Sequence, residues 1–352
     1  MPIPPSRLSS VLLLALLLAA VACNIKPPAI GQQDVLVIIT SDEDRPLLEP
    51  LLTKVFGREM ATPAPEPVFK IKWASPYEFE DYRHYNSLVV ASLSNPVDST
   101  CDLLVRRILG AERVEQALQG GNPIFVATDY LAKGQIFLGL TAHSAIHAQL
   151  ELERLQSWIF DQFEQQLRLR QYKIVYKYKV EKKLMAQLEE QYDIGLRIQH
   201  GFIIVKEKPE QNFIWLGRGY PYRWLGIHWI ESGDSARINP AWAWNRMEYI
   251  AEELFGDIYI DTLFRSIELG IEQGHEIMIQ RGVWGHTQQT AGGPFVNYLF
   301  RDRVQNRIYF LTGVVFNPGR SKVLLIKWLE TILRTFHSFD RPAGTTHDTK
   351  MT

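Results

Sequence analysis

Cysteine is scarce in this chain: only Cys23 and Cys101 occur among 352 residues. If Cys23 carries a lipid, as its context below indicates, Cys101 has no partner within the chain, and a disulfide framework is excluded. A lone thiol can act as a nucleophile. However, Cys101 begins the segment "CDLLVRRIL", which has the apolar spacing of an amphipathic helix. We therefore expect Cys101 to be buried at the start of a helix.

The apolar run near the N-terminus is too short to cross a membrane. It covers residues 11–22, twelve residues of Val, Leu and Ala only, whereas a spanning helix needs ~20. Its length and its small-residue end fit the h-region and cleavage site of a secretory signal. Cys23 follows "AVA", which resembles the bacterial lipobox, where the cysteine receives a diacylglycerol. We predict Cys23 as a lipidation site, with an ordinary signal peptide as the alternative.

Neither sign of charge dominates the chain, because 38 Lys and Arg face 39 Asp and Glu, for a net charge of −1. This balance gives no electrostatic basis for nucleic-acid binding, which depends on clustered cations that displace counterions. One basic stretch, residues 168–183, holds seven cationic side chains and a single acid. It is either an arm that lies on anionic headgroups or an acidic partner, or a solvated helix face with packed tyrosines.

Motifs for catalysis and metal binding are missing or incomplete. The chain has no "GxSxG" motif, and "GRGYPYRWLG" lacks the spacing of a phosphate loop. His143 and His147 have the i,i+4 spacing of metal ligands, but no glutamate follows His143 and no third ligand is near. Three acids in residues 41–46 follow the first apolar run, which favours a solvated loop over a cation site. We predict no metal, no cofactor and no catalytic residue.

The order of apolar segments indicates the fold. Continuous apolar runs such as "DVLVIIT" alternate with helical patterns in the first half, whereas the second half contains short apolar and aromatic runs separated by turn residues. We predict an α+β protein with mainly antiparallel sheets in two halves covered by helices, and a long helix linking the halves. The expected order is a signal peptide (1–22), a flexible lipidated tether (23–33), an N-terminal α/β half (34–142), a long linking helix (143–195), a C-terminal antiparallel α+β half (196–339) and a disordered tail (340–352).

Aromatic residues are dense in the second half, where six of the nine tryptophans fall within residues 215–284. Together with nearby tyrosines and arginines they can form a stacking platform for sugar rings or peptidoglycan. The alternative is that the rings fill a sheet–helix core, and alternation in "YRWLGIHWI" favours it, because both faces of that strand look at least partly covered. The candidate binding residues of this region are Arg218, Tyr220, Tyr222, Arg223, Trp224 and Trp284.

Gly292 and Gly293 in "TAGGPFVNYLF" are two further candidate binding residues. A double glycine before a strand marks a tight turn, or a place where another backbone or a ligand comes close. The simpler interpretation is a turn that lets "RGVW" pair with "PFVNY", and the alternative is a binding loop.

Several blocks occur in an order that resembles a known family. They are "DVLVIIT", "LLEPLLTKVFG", "YDIGLRIQHGFIIV", "NFIWLGR", "GGPFVNY" and "RIYFLTGVVFNP", spread over most of residues 31–337. This arrangement resembles an uncharacterised family of Bacteroidota-type lipoproteins labelled as a domain of unknown function. The resemblance implies a lipobox, which matches Cys23, and it brings no activity and no catalytic residue.

From these features we expect a lipid-anchored cell-envelope protein that is non-enzymatic and that binds a partner or supports envelope assembly. The anchor makes the membrane a partner, and an envelope protein or a glycan is the other expected one. Asn24, in place of Asp after the acylated cysteine, indicates the outer membrane facing the periplasm in the bacteria of that family. The alternative function is an envelope hydrolase, or a carbohydrate- or peptidoglycan-binding module that uses the Trp-rich half.

Overall fold

A computed structural model describes residues 26–93, 99–231 and 238–339 of the chain. Three predicted features lie outside the described residues: the signal peptide, the lipidation site Cys23 and the tail over residues 340–352. Among the residues that the structure does describe, no helix is both long and apolar enough to cross a membrane.

Eight α-helices and seventeen strands form in the described residues. The helices are α1 (Arg45–Phe56), α2 (Phe79–Tyr82), α3 (Ser99–Leu109), α4 (Ala111–Leu118), α5 (Ala145–Val175), α6 (Lys182–Tyr192), α7 (Pro240–Tyr249) and α8 (Val323–Leu333). The strands are β1 (Val35–Ile39), β2 (Glu59–Met60), β3 (Glu66–Pro67), β4 (Lys70–Ala74), β5 (Ser87–Leu93), β6 (Ile124–Thr128), β7 (Ile136–Ala142), β8 (Ile194–Gly195), β9 (Ile203–Lys208), β10 (Phe213–Arg218), β11 (Tyr222–Glu231), β12 (Ile258–Ile260), β13 (Ser266–Glu272), β14 (His275–His286), β15 (Gly292–Asp302), β16 (Arg307–Phe316) and β17 (His337–Ser338).

The chain divides into two compact units. The first holds the residues up to Gly57 together with Phe69–Gln166, and the second holds Arg58–Val68 together with the residues from Leu167 onward. The boundary between the units falls within α5, which is the long helix expected from the sequence. That helix ends at Val175, and α6 begins only at Lys182.

The first unit is built on a five-stranded sheet in the order β4-β1-β5-β7-β6. Its first three strand pairs are parallel, and only β6 runs antiparallel to β7. Strands β5 and β7 are buried along their whole length, as continuous apolar sequences of a sheet covered on both faces should be. The continuous apolar run "DVLVIIT" forms β1, in which residues 36–39 are all buried.

Helices fill both faces of this sheet with side chains. One face packs against Leu104 and Val105 of α3 and Val114 of α4. Cys101 is fully buried at the start of α3, as predicted, and its thiol donates to the carbonyl oxygen of Ala91. A cluster of edge-to-face phenylalanines joins α1 to the first part of α5; its members are Phe56, Phe69, Phe160 and Phe163.

Part of the segment expected to be a flexible tether is hydrogen-bonded to the first unit. The carbonyl oxygen of Pro27 accepts from the amide of Lys133 at 2.8 Å, and Ile30 bonds to His84 and Asn86 through its amide and carbonyl groups. The side chain of Asn86 also donates to the carbonyl oxygen of Gly31 at 2.7 Å. Residues 27–31 are thus held by the folded unit, which differs from a free tether that reaches to residue 33.

The second unit is built on an eight-stranded antiparallel sheet in the order β12-β14-β15-β16-β11-β10-β9, with β13 also paired to β14. Strand β14 is long enough to pair with β13 along its first part and with β12 at its end. Apolar or aromatic residues alternate between the two faces of the central strands, so both faces need cover. We call these the α7 face, which carries Trp224, Gly226 and His228, and the α8 face, which carries Arg223 and Leu225.

Each face is covered by a different helix. The α8 face packs against the apolar side of α8, including Ile326 and Leu329, and against residues of α6. The α7 face packs against α7 and against a π-helical turn over Ile250–Phe255. Helix α7 begins as the sequence indicates, because the side chain of Asn239 accepts from the amide of Trp242 at 3.0 Å and Pro240 occupies the first helical position.

The predicted α+β class is confirmed, since helices and mainly antiparallel strands form the fold. The antiparallel expectation holds for the second unit. It does not hold for the sheet of the first unit, where three of the four strand pairs are parallel. The reason is that α1 lies in the connection from β1 to β4 and α2 in the connection from β4 to β5, and a helical crossover returns the chain in the same direction. Strand β7 runs parallel to β5 because α3 and α4 lead first to the antiparallel strand β6, from which the chain turns back into β7.

Gly292 and Gly293 lie inside strand β15 rather than in a turn. They pair with Gly285 and Trp284 of β14, so the predicted pairing of "RGVW" with "PFVNY" is confirmed. Neither glycine has a positive φ. Gly293 is required for space, because a Cβ there would overlap the carbonyl oxygen of Val315 and lie 3.2 Å from the indole nitrogen of Trp284.

Replacement of Gly293 by valine should therefore lower the free energy of unfolding by ~3 kcal/mol or more, since it forces strands β15 and β16 apart. Urea denaturation of the second unit, followed by tryptophan fluorescence, measures this change. The matched control is Gly219→Val, because a Cβ at Gly219 meets no atom within 4 Å and its φ is not positive. A Gly293→Val variant as stable as the control would contradict the packing described.

His228 is a buried histidine on the α7 face. Its Nδ1 donates to the carbonyl oxygen of Asn212 at 3.1 Å, and its Nε2 is buried with no hydrogen-bond partner among the described residues. Burial lowers the pKa of His228 to about 4, from an ordinary value of 6.5. The imidazole is therefore neutral in the folded protein at neutral pH, and protonation favours the unfolded chain.

The contribution of His228 to stability is complete above pH 6.5 and is lost as the pH falls toward 4. We expect protonation of His228 alone to lower the free energy of unfolding by ~2–3 kcal/mol when the pH is lowered from about 7.5 to about 4.5. His228→Gln should flatten the pH dependence of the unfolding free energy by that amount in urea titrations. An unaltered slope in His228→Gln would show that the proton does not bind there.

Candidate functional site

Six of the predicted binding residues lie at one end of the sheet of the second unit. Strands β10 and β11 form a hairpin there, joined by residues 219–221, and Arg218 is paired directly with Arg223 across it. Tyr220 lies in the turn and Tyr222 begins β11. Trp284 lies on β14, the third strand from β11, with β16 and β15 between them.

The sheet separates these residues into two groups. Successive side chains of a strand point to opposite faces, so Arg218 and Arg223 lie on the α8 face, under Trp328 of α8. Tyr222 and Trp224 lie on the α7 face, within ring contact of Phe316 and Trp284 respectively. A single platform that combines the arginines with the tryptophans is therefore absent at this hairpin.

The aromatic residues of the α7 face form a chain of ring contacts that runs from solvent into the core. Tyr220 and Tyr222 are 55% and 41% exposed, with ring centroids 6.0 Å apart. The next ring, Trp224, is half-buried and lies 5.7 Å from Trp284, which is 2% exposed. We call this chain the aromatic cluster; its members are Tyr220, Tyr222, Trp224, Trp215, Trp284, Phe316 and Phe255.

The inner tryptophans of the cluster are core residues. The indole of Trp284 donates to the carbonyl oxygen of Val315 at 3.1 Å, which fixes it across strand β15 beside Gly293. Trp215 packs edge-on against Phe255 of the π-helical turn, with ring centroids 5.2 Å apart. The rings that remain available to a partner at this end are those of Tyr220 and Tyr222. Gly292 is partly buried, and Gly293 is buried next to Trp284.

Arg218 and Arg223, which we call the arginine pair, share the ring of Trp328 on the α8 face. The guanidinium carbons lie 5.9 Å and 4.7 Å from the centroid of that ring, respectively. Arg223 is only 4% exposed. Burial, together with the adjacent charge of Arg218, lowers the pKa of Arg223 to about 10, and burial also lowers the pKa of Arg218. Both groups remain cationic at neutral pH.

The hydrogen bonds of the arginine pair go to neutral oxygens. Arg218 donates through Nη1 to the side-chain carbonyl of Gln199, which is itself buried. Arg223 donates through Nε to the carbonyl oxygen of Pro221 at 3.2 Å. Within the described part of the chain, neither guanidinium forms an ion pair with a carboxylate. The nearby acid Glu181 instead accepts from the amide of Gly201 and from Nδ1 of His200, each at 2.6 Å.

Two residues of this site were missed by the sequence reading. Neither Trp328 nor Gln199 is among the binding residues predicted from the sequence. Gln199 pairs with Val180 in an isolated β-bridge. Arg218, which donates to the side chain of Gln199, lies nineteen positions further along the chain. No local pattern connects either residue with the arginines, since the contacts depend on the order of the strands and the position of α8.

The other predicted candidates do not converge on a site. The rings of His143 and His147 are tilted against each other with centroids 4.5 Å apart, and no group of three metal-ligating side chains forms within residues 26–93, 99–231 and 238–339. Asp44 is buried and accepts from the amide of Leu93 at 2.8 Å, which explains it as a structural acid.

A cavity of about 750 Å³ lies elsewhere in the second unit and contains none of the predicted residues. Its lining includes His275 and Met278 of β14, Phe300 of β15 and Leu269 of β13. One wall is formed by Ile238, the first described residue after the gap at 232–237.

Residues 181–335 match the model of a family described as a domain of unknown function, DUF4837. No curated protein matches the chain. Two solved structures are similar in part. One is the Saccharomyces cerevisiae Ran-binding protein Mog1p, at 13% identity over 42% of this chain and 92% of that chain, with a TM-score of 0.29. The other is a point mutant of the protein Mog1, at 14% identity over the same shares, with a TM-score of 0.29.

The resemblance to a domain of unknown function is thus confirmed for residues 181–335. This range contains α6, most of the second unit's sheet strands and α8, and with them both the arginine pair and the aromatic cluster. The part of the chain that carries the candidate site therefore lies within the range that matches the DUF4837 model.

Proposed function

We propose that this chain is a lipid-anchored cell-envelope protein that binds a partner in the envelope and does not catalyse a reaction. It is anchored through Cys23, in the outer membrane facing the periplasm. Its partner contacts the end of the second unit's sheet. The exposed pair of tyrosines on a rigid aromatic base is the observation that carries the binding function.

The anchor rests on the sequence before the described residues and on where the folded part begins. The lipobox-like "AVAC" puts the acyl chains on Cys23, and only residues 24–26 separate that cysteine from Pro27, the first described residue whose backbone is hydrogen-bonded to the fold. Four residue steps span at most about 14 Å. A lipid on Cys23 therefore holds the first unit close to the membrane surface, with little freedom to move away.

The binding surface rests on the aromatic cluster. Tyr220 and Tyr222 present large rings to solvent, and the stacked ring of Phe316, 6.0 Å from Tyr222, backs them from behind. Such rings lose little conformational entropy on binding, because neighbours already hold them, and aromatic residues dominate the energy of many interfaces. A sugar ring and a protein side chain can both stack on them, so an envelope protein and a glycan are both suitable partners.

The alternative function, a glycan-binding module or hydrolase on a tryptophan platform, has less support. Trp284 is buried and hydrogen-bonded, and Trp215 is packed under the π-helical turn. A glycan-binding surface at this end would use Tyr220 and Tyr222 instead.

The anchor predicts a change in membrane partition. In cells of a lipoprotein-processing bacterium, the full chain should sediment with the outer membrane, and Cys23→Ala should appear in the soluble fraction with a different mobility on gels. Globomycin, which blocks cleavage of lipidated precursors, should cause accumulation of a larger form. The buried Cys101→Ala is the matched control and should still sediment. Unchanged sedimentation of Cys23→Ala would contradict the anchor.

The binding surface predicts a position-specific crosslink. A photoreactive phenylalanine analogue at Tyr222 should form an adduct in intact cells, whereas the same analogue at Tyr77, which is 82% exposed in the first unit, should not. Tyr220→Ala should weaken the adduct formed at position 222. Digestion by muramidase or by protease then distinguishes a glycan from a protein partner. Equal labelling at both positions, or none at Tyr222, would refute the proposed surface.

A further inference from the structure

Beyond this function, we infer that the arginine pair, together with Trp328 and Gln199, forms a binding site for a phosphate group. The site lies on the α8 face, on the opposite side of the sheet from the aromatic cluster. Its ligand is a phosphate oxyanion, carried either by a lipid headgroup or by a free or sugar-linked phosphate.

The first argument is the lack of a counter-charge. Like charges placed opposite each other on neighbouring strands destabilise a sheet, and a buried cation without a partner costs more still. Other arginines of the second unit show how the fold normally meets this cost: Arg265 pairs with Glu248, Arg281 with Glu330, and Arg307 with Glu231.

The contrast is clearest along helix α8 itself. Glu330 of this helix is 1% exposed and forms ion pairs with both Arg281 and Lys327. The buried acid of α8 thus neutralises the cations that lie next to it. Arg223 is as deeply buried as Lys327, at 4% exposure each, and the described residues supply it with Trp328 instead of an acid. A cation–π contact is weaker than an ion pair with a buried acid, so the arginine pair keeps unmet capacity for an anion.

The second argument is the set of donors left over. The terminal nitrogens of Arg223 have no protein acceptor in the described residues, where only its Nε donates, to the carbonyl oxygen of Pro221. The indole Nε1 of Trp328 is also buried without a hydrogen-bond partner there. Gln199 holds the guanidinium of Arg218 in place through its side-chain oxygen. The side chain of Trp328 and the two guanidinium groups that contact its ring thus all carry N–H groups without a protein acceptor in the described part of the chain.

These donors fit phosphate better than they fit a carboxylate. Two guanidinium groups carry two positive charges, and a phosphate monoester carries ≈ −1.5 to −2 with three strong acceptor oxygens. A carboxylate neutralises only one of the two charges. The planar fork of arginine also suits phosphate, with two parallel N–H···O bonds from each guanidinium.

The test measures binding by the detergent-solubilised full chain. Inorganic phosphate should bind saturably in calorimetry and raise the melting temperature, because a ligand that binds only the folded state stabilises it. Arg223→Met should weaken phosphate binding about tenfold or more. The matched control is Arg303→Gln, an exposed arginine in the turn at the far end of the same sheet, which should keep the wild-type affinity.

A second arm identifies the source of the phosphate. Vesicles of phosphatidic acid, whose headgroup is a phosphate monoester, that are bound by the Cys23→Ala chain and not by its Arg223→Met derivative would assign the site to a lipid headgroup. Binding of free phosphate alone, with vesicles of phosphatidic acid and phosphatidylcholine bound equally weakly, would assign it to a soluble or sugar-linked phosphate.

Arg223→Met removes a buried charge and should fold; if it does not, Arg218→Gln replaces it in the same comparison. No binding of phosphate by the wild-type chain, or equal binding by wild type and both arginine variants, would overturn the inference. Neither result depends on the lipid at Cys23 or on Tyr222, so this outcome is separate from that of the proposed function.

Discussion

The second unit depends on one constraint: a broad antiparallel sheet whose central strands are apolar on both faces must be covered twice. Strands β15 and β16 are buried over nearly their whole length. Helix α8 supplies one cover with its apolar side, and α7 with the π-helical turn supplies the other. Burial of apolar surface at ~25 cal/mol per Å² makes each cover a major part of the stability of the sheet. Close approaches such as that of Gly293 to Val315 follow from this packing.

The candidate site lies at the β10–β11 hairpin, at one end of the same sheet. On the α7 face the ring contacts change from the buried Trp284 to the exposed Tyr220. On the α8 face, the arginine pair lies under the ring of Trp328 at the end of the apolar core. One hairpin therefore presents an aromatic surface on one side and a cationic one on the other, as a direct result of the two-residue period of β-strands.

Much of this architecture could be predicted from local pattern. The apolar runs at β1, β5, β10, β11 and β14–β16 and the capped start of α7 are visible in the sequence, because burial and capping require particular residue types at short spacing. Strand β7 was not recognised, since Gly139 interrupts its apolar run; a Cβ at this glycine would lie 2.9 Å from the methyl carbons of Leu109, which packs against the strand there. The division of Arg223 and Trp224 between two faces was implicit in the alternation. The position of Trp328 above Arg223 was not, because it depends on a contact between residues more than a hundred positions apart.

Amide hydrogen exchange of the full chain, followed peptide by peptide, tests the two-sided cover most directly. Amides of β15, β16 and β11 should exchange last and together, at the rate of global opening of the second unit, whereas the edge strands β9 and β13 should exchange much earlier. Exchange of β15 and β16 as fast as that of β9 and β13 would show that one face of the sheet is uncovered in solution, and would contradict the fold on which both proposed surfaces depend.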